Sequence, residues 1–203
     1  MEWEWLSKTV GLYRDEAHPL TEDPLHLMRF CSVTEKDRVL DLGCGTGVLS
    51  FLSAERGATV LGIDLDAAAI LLANDAAKRN GLSVRFQSMD VTEAPKALAH
   101  GSFTHILMNP PYFPDGARGK SELFRHGNEA SLSDWCRAAF LLLENRGKLS
   151  LCYPADQLAP LFRALDENRL SPKRLQFLSH QGKAWLVLLE ARKLGKDGLT
   201  VLV

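Results

Sequence analysis

Val39-Leu40-Asp41-Leu42-Gly43-Cys44-Gly45-Thr46-Gly47 sets three glycines directly behind a short apolar run that carries one acid. Glycine is the residue that takes positive φ without steric cost and lets a ligand approach the backbone closely. The run from Arg38 to Leu42 predicts a strand, and Gly47 to Arg56 predicts the helix that follows the turn. The spacing is G-x-G-x-G, not the G-x-G-x-x-G of dinucleotide sites, which disfavours a pyrophosphate at the helix N-terminus. Outward from this unit the chain keeps the same rhythm. Strands are expected over Ala58 to Asp64, Ser83 to Gln87, Phe103 to Met108 and Lys148 to Tyr153. Helices are expected over Asp66 to Asn80, Ser131 to Asn145 and Ala155 to Asn168. Arg174 to Ser179 and Ala184 to Ala191, joined by His180-Gln181-Gly182-Lys183, then predict a hairpin. Such alternation implies an α/β fold: a seven-stranded, mostly parallel sheet with helices on both faces and one antiparallel strand in the C-terminal hairpin. Its ligand crevice would lie beyond the carboxyl ends of the strands.

The 203 residues are 46% hydrophobic and 24% charged, a mix that excludes intrinsic disorder. Neither a collagen-like glycine period nor sustained heptads appear. Residues 1–36 are too few for a domain and are expected to form a cap or flap over the crevice, anchored by Trp3, Trp5 and Leu12. Residues 37–203 then form the main domain. Cys31, Cys44, Cys136 and Cys152 include no C-x-x-C pair, so free thiols in a reducing compartment are expected and no metal site. The start of the chain has neither a secretory nor a transit pattern. The longest uncharged stretch, Ala97 to Pro114, is broken by glycine and prolines and cannot cross a bilayer as a helix. A cytoplasmic protein, monomer or homodimer, is expected. The formal net charge of −1 hides an imbalance. Residues 1–36 hold four Lys/Arg against seven Asp/Glu, and residues 163–203 hold eight against four. A basic C-terminal part suits contact with a polyanion.

Two acids close successive strands behind the glycine turn. Asp64 is placed to accept both hydrogen bonds of a ribose diol, and Asp90 to accept from the exocyclic amine of adenine. The ligand so described is an adenosine without a pyrophosphate. Asn109-Pro110-Pro111-Tyr112 follows the fourth strand of the series. Its prolines fix φ and hold their neighbours extended, so the Asn109 side-chain oxygen and the Pro110 carbonyl become two rigid acceptors. An aromatic or amide NH₂ is a poor nucleophile because its lone pair is delocalised. Two acceptors on its N–H bonds would aim that lone pair, and Tyr112 would offer a face for stacking. Phe113 adds a second aromatic at the pocket mouth, and Arg118, Lys120 and Arg125 in the loop that follows are candidates for phosphate contact.

These residues together resemble the class I S-adenosylmethionine-dependent amino methyltransferases, whose fold is Rossmann-like. By that resemblance Asp41, Gly43, Gly45 and Gly47 hold the methionine end of the cofactor, Asp64 the ribose and Asp90 the adenine, with Cys44, Leu65, Val91 and Asn109 as further cofactor contacts. Asn109-Pro110-Pro111-Tyr112 resembles the motif with which such enzymes hold an exocyclic amine or amide. It implies catalytic roles for Asn109, Pro110 and Tyr112, and substrate contacts for Pro111, Tyr112 and Phe113. From about Asp23 to Ala191 the chain is similar to the bacterial tRNA(Val) anticodon-loop adenine-N6 methyltransferases of the methyltransferase small domain group. Thr21 and Asp23 resemble the polar segment that such enzymes fold over the cofactor. The loop after the Asn-Pro-Pro-Tyr motif departs from that family, because Asp115, Glu122 and Glu129 dilute its basic residues. The resemblance implies S-adenosylmethionine as cofactor, no metal, and adenine N6 in tRNA or another structured RNA as acceptor. The base would be flipped out and read by stacking and edge contacts. A protein glutamine amide, guanine N2 in rRNA and adenine in DNA are the alternative acceptors. The glutamine enzymes carry an N-terminal helical domain that 36 residues cannot supply, and the DNA enzymes usually add a target-recognition domain.

Overall fold

The computed structural model describes residues 1–111 and 130–202. Its centre is an eight-stranded sheet in the order β10-β8-β9-β7-β6-β3-β4-β5. The strands are β3 (Arg38–Leu42), β4 (Thr59–Asp64), β5 (Arg85–Ser88), β6 (Phe103–Met108), β7 (Leu143–Pro154), β8 (Leu170–His180), β9 (Lys183–Lys193) and β10 (Thr200–Leu202). β9 runs antiparallel to both β7 and β8, and the remaining pairings are parallel. The fold class is as expected, with eight strands in the sheet in place of seven. The extra one is β10, three residues of the apolar tail that pair with Arg174–Gln176. A three-residue edge strand has too short a pattern to stand out in sequence.

Sheet alternation sorts the core into two layers. Leu40 and Leu42 of β3 and Ile106 and Met108 of β6 face α4 (Ala94–Ala97), α5 (Leu132–Leu142) and α6 (Leu158–Glu167). Val39 of β3, Val60 of β4 and Leu107 of β6 face α1 (Asp23–Phe30), α2 (Val48–Glu55) and α3 (Ala67–Asn80). Helix ends follow local chemistry. Asp66 caps α3 by accepting from the Ala68 and Ala69 amides, and Gly81 ends it with φ 65°. Ser131 and Asp134 close a capping box on α5.

Residues 1–36 contain structure that the alternating pattern did not signal. β1 (Glu2–Trp5) and β2 (Gly11–Arg14) form a hairpin. It lies on the C-terminal end of α3, where the Asn80 side chain exchanges two hydrogen bonds with Gly11 and Arg79 stacks over Trp3 at 4.0 Å. Trp3 and Leu12 are anchors as expected, whereas Trp5 is 59% exposed and is not. The hairpin therefore sits away from the crevice. Beyond the hairpin, His18 reaches Asp66 at the N-terminus of α3, and the chain then enters α1. The cysteines are free and buried.

Candidate functional site

β3 and β6 are hydrogen-bonded neighbours, and Leu42 lies opposite Met108. The glycine turn and Asn109-Pro110-Pro111 therefore leave the same end of the sheet side by side. Gly43, Gly45 and Gly47 have φ of 77°, 51° and 96°. A Cβ on Gly43 would meet the Trp135 ring at 2.5 Å, and one on Gly47 would meet Phe51 and Phe86 at 2.9 Å. A Cβ on Gly45 would meet nothing within 4 Å, because that glycine borders open space on the crevice side. Two of the glycines are thus demanded by the protein's own packing, and Gly45 leaves room for a ligand.

Asp41 faces α2 and is fully buried. Its Oδ2 accepts from the Ser50 hydroxyl at 2.7 Å, and its Oδ1 has no partner among the described residues. Burial pushes its carboxyl up to about 7, with the nearby Asp64 adding to the rise and Ser50 opposing it. A buried carboxylate oxygen without a donor is costly unless a cation or donor completes it. Such an atom, beside a glycine that borders open space, fits the ammonium end of an amino-acid-bearing cofactor. Cys44 is buried and its thiol is pushed well up, which leaves its backbone as the part that can act.

Asp64 joins the turn to β4. Its Oδ2 accepts from the Gly45 amide at 2.7 Å and its Oδ1 from the Asp66 amide at 2.9 Å. Each oxygen keeps a second lone pair for a ligand hydroxyl. Burial raises this carboxyl above its ordinary range, and the two amides hold it back. Leu65 is 58% exposed beside it, an apolar surface at the rim. Asp90 is half-buried, and its Oδ1 accepts from the Thr92 amide at 2.7 Å and the Thr92 hydroxyl at 2.8 Å. One oxygen of Asp90 is thus spent on a local turn; Val91 beside it is buried in the core.

Asn109 accepts a hydrogen bond on Oδ1 from the Cys152 thiol at 3.1 Å. Cys152 is buried, and its thiol is pushed well up by burial and then by the Asp23 carboxylate. That brings Asp23, the first residue of α1, to the same corner of the crevice. Thr21 is exposed and makes no side-chain hydrogen bond among the described residues. Pro111 is half-buried. Tyr112, Phe113, Arg118, Lys120 and Arg125 lie outside the described residues.

Sequence reasoning missed Ser50, Cys152, Asp15, His18 and Asp66 as parts of this corner. The His18 ring meets Asp15 Oδ1 at 2.8 Å through Nδ1 and Asp66 Oδ2 at 2.9 Å through Nε2. The Asp-x-x-His spacing was visible, but its second partner comes from a helix 48 residues away. The basic C-terminal third is also placed differently from what its order in the chain suggested. Arg192 pairs with Lys148 and Lys193 with Leu170, at the end of the sheet opposite Asn109. Lys173 bonds the Lys196 carbonyl in the same region. At the crevice end the hairpin tip supplies Lys183 and His180.

A family profile for the methyltransferase small domain matches residues 25–132. A tRNA1(Val) (adenine(37)-N6)-methyltransferase from Shewanella amazonensis is 32% identical, over 88% of this chain and 79% of its own length. Its namesake from Parabacteroides distasonis is 31% identical, over 75% of this chain and 66% of its own length. A putative protein N5-glutamine methyltransferase from Methanocaldococcus jannaschii is 36% identical, over 52% of this chain and 51% of its own length. Among solved structures, TrmN from Thermus thermophilus superposes with a TM-score of 0.66 at 26% identity, over 84% of this chain and 48% of that one. The first relative covers most of this chain, and the profile match covers the glycine turn and Asn109, which together settle the family. The chain belongs to the methyltransferase small domain family and is an S-adenosylmethionine-dependent methyltransferase.

Proposed function

We propose that this protein methylates the exocyclic N6 amine of an adenine in tRNA. The observation that carries the reading is the adjacency of the Gly43–Gly47 turn and Asn109 at the ends of two paired strands. A cofactor held by the turn and an amine held by Asn109 would then be neighbours. S-adenosylmethionine supplies an electrophilic methyl group when bound. The residues that would hold it are Asp41 at the ammonium, the backbone of Gly43 to Gly47, Asp64 at the ribose, and Asp90, Val91 and Leu65 around the adenine. Asp23, and Thr21 with it, would close this side.

Asn109 Oδ1 and the Pro110 carbonyl accept the two N–H bonds of the target amine and aim its lone pair at the methyl carbon. Positioning and electrostatics do most of the work, and no strong base is needed before attack. The Cys152 thiol, held protonated by burial, donates to Asn109 Oδ1 and so helps choose which end of the amide faces inward. Tyr112 and Phe113 would stack the base, with Pro111 against its edge, and Arg118, Lys120 and Arg125 would meet phosphates. Similarity to tRNA adenine-N6 enzymes across most of the chain favours RNA over a protein amide. The glutamine enzyme resembles only about half of it. No helix among the described residues is long and apolar enough to cross a membrane, and a cytoplasmic setting suits a tRNA substrate.

Nucleoside mass spectrometry on RNA from a deletion strain and its parent tests this reading. The expected result is loss of N6-methyladenosine at one tRNA position, restored by the parent gene and not by Asn109→Ala. Unchanged RNA together with an unmethylated glutamine in some protein would overturn it.

A further inference from the structure

The His18 ring fastens the segment between the N-terminal hairpin and α1 to the start of α3, beside the crevice. Nδ1 lies 2.8 Å from Asp15 Oδ1 and Nε2 lies 2.9 Å from Asp66 Oδ2. A neutral imidazole has one N–H and could serve only one of these carboxylates. Two acceptor-only partners therefore require the doubly protonated ring. Asp15 also accepts from the Ala17 and His18 amides, so its side of the clamp is built into the turn. Asp66 is the N-cap of α3, and its own amide donates to Asp64 Oδ1 at 2.9 Å. The clamp thus ends two residues from the carboxylate assigned to the ribose.

We propose that His18, as imidazolium, is a positioning residue of the cofactor site: it ties residues 15–22 to the start of α3 and so fixes the Asp66 amide that holds Asp64 in place. The inference rests on the assignment of Asp64 to the cofactor. The charged groups facing the ring are Asp15 on its own segment, Asp66 on α3 and, through space, Asp64 on β4. Burial works against the ring's charge, but the bonds to Asp66 and Asp15 outweigh it and raise the imidazole above its ordinary value. Burial raises Asp64 and the Asp66 and Gly45 amides hold it down; the Asp66 charge adds to the rise, and the His18 charge offsets part of that addition. The sign follows from linkage. A proton that strengthens the site is lost as pH rises through the raised value, so cofactor affinity falls on the alkaline side. Affinity falls on the acid side for a separate reason, as Asp41 takes up its proton at about 7.

The test is calorimetric binding of S-adenosylmethionine, without RNA, from about pH 6 to about pH 9.5, which brackets an ordinary or raised histidine. It compares the parent, His18→Gln, His18→Arg and Asp64→Ala. The parent should give a bell, and His18→Gln should bind about fivefold or more weakly below the alkaline limb and lack that limb. His18→Arg, permanently charged, should regain affinity at high pH. By reciprocity the cofactor should raise the His18 value read from its ring NMR signals. In turnover, His18→Gln should raise the cofactor KM more than it lowers kcat. If His18→Gln keeps both the parent affinity and the alkaline limb, His18 is structural and the proposal fails. If Asp64→Ala binds as the parent does, the assignment of Asp64 fails instead.

Discussion

Asp41 and His105 are the same kind of feature at opposite ends of the sheet. Each is a buried polar side chain in a central strand, each faces the α1–α3 layer, and each has one atom without a partner among the described residues. Their surroundings differ. Asp41 lies next to the glycine turn, with Asp64 the charge nearby, and burial pushes its carboxyl up to about 7. His105 lies level with Val39 and Lys148, where burial and the Lys148 and Arg192 charges push its ring down to about 3. Its Nε2 meets the Ser150 hydroxyl at 2.8 Å, and as a neutral ring it is a structural cross-link. At the acid end Asp41 Oδ1 has no partner among the described residues, while at the opposite end cations are spent on carbonyls: Arg192 on Arg146, Lys193 on Leu143 and Lys148 on Ser32. A buried ionisable group with an unmet atom beside a crevice is a candidate for a site, and a buried group quenched to neutrality is part of the scaffold.

This contrast can be broken experimentally, and the largest effect is expected at the crevice. Asn109→Ala should lower kcat at least about 100-fold while cofactor binding is kept, since the side chain acts on the acceptor amine. Single-turnover rates beside calorimetry check it, and undiminished turnover would remove Asn109 from the chemistry. Asp41→Asn should have an intermediate and two-sided effect. The folded pKa of Asp41 lies above its unfolded value, so its destabilisation of the ligand-free protein grows as pH rises from about 4 through about 7. The variant removes that cost, at most roughly 4 kcal/mol, and its melting temperature above neutral pH should rise. Cofactor affinity should fall and its acid limb should vanish. A variant less stable than the parent at alkaline pH would show that the acid end is not under strain. The smallest effect belongs to the far end. Lys173→Gln with Lys196→Gln should change the KM for RNA less than about twofold, whereas Lys183→Gln at the crevice end should raise it and lower the salt slope by about one. The opposite order would move the RNA surface to the basic end.

Much of the fold was legible because the central strands are apolar runs of ordinary length. Phe103–Met108 has the predicted bounds, and α3 has its predicted cap and glycine stop. The N-terminal hairpin was not, because Glu-Trp-Glu-Trp alternates an acid with an aromatic and the connecting Leu6-Ser7-Lys8-Thr9-Val10 has no glycine or asparagine to announce a turn. α5 was expected to continue to Asn145, but it stops at Leu142 and β7 begins at Leu143. The apolar run Ala138 to Leu143 suits either state, and pairing of Phe103 with Leu143 decides it. Charge counted along the chain misled in the same way: the excess over residues 163–203 is real, but the hairpin folds most of it to the wrong end for Asn109.

By itself the sequence determined the glycine turn, the acids at successive strand ends and the Asn-Pro-Pro frame, because each depends on backbone geometry set by neighbours in the chain. Only the tertiary structure decided which of these atoms remain unsatisfied. Asp41 Oδ1 is left without a partner because β3 buries it against α2, Asn109 meets a thiol 43 residues away, and His18 gains a second carboxylate because Asp66 arrives from α3. Burial and long-range partners set protonation, and neither is a property of a residue and its sequence neighbours alone.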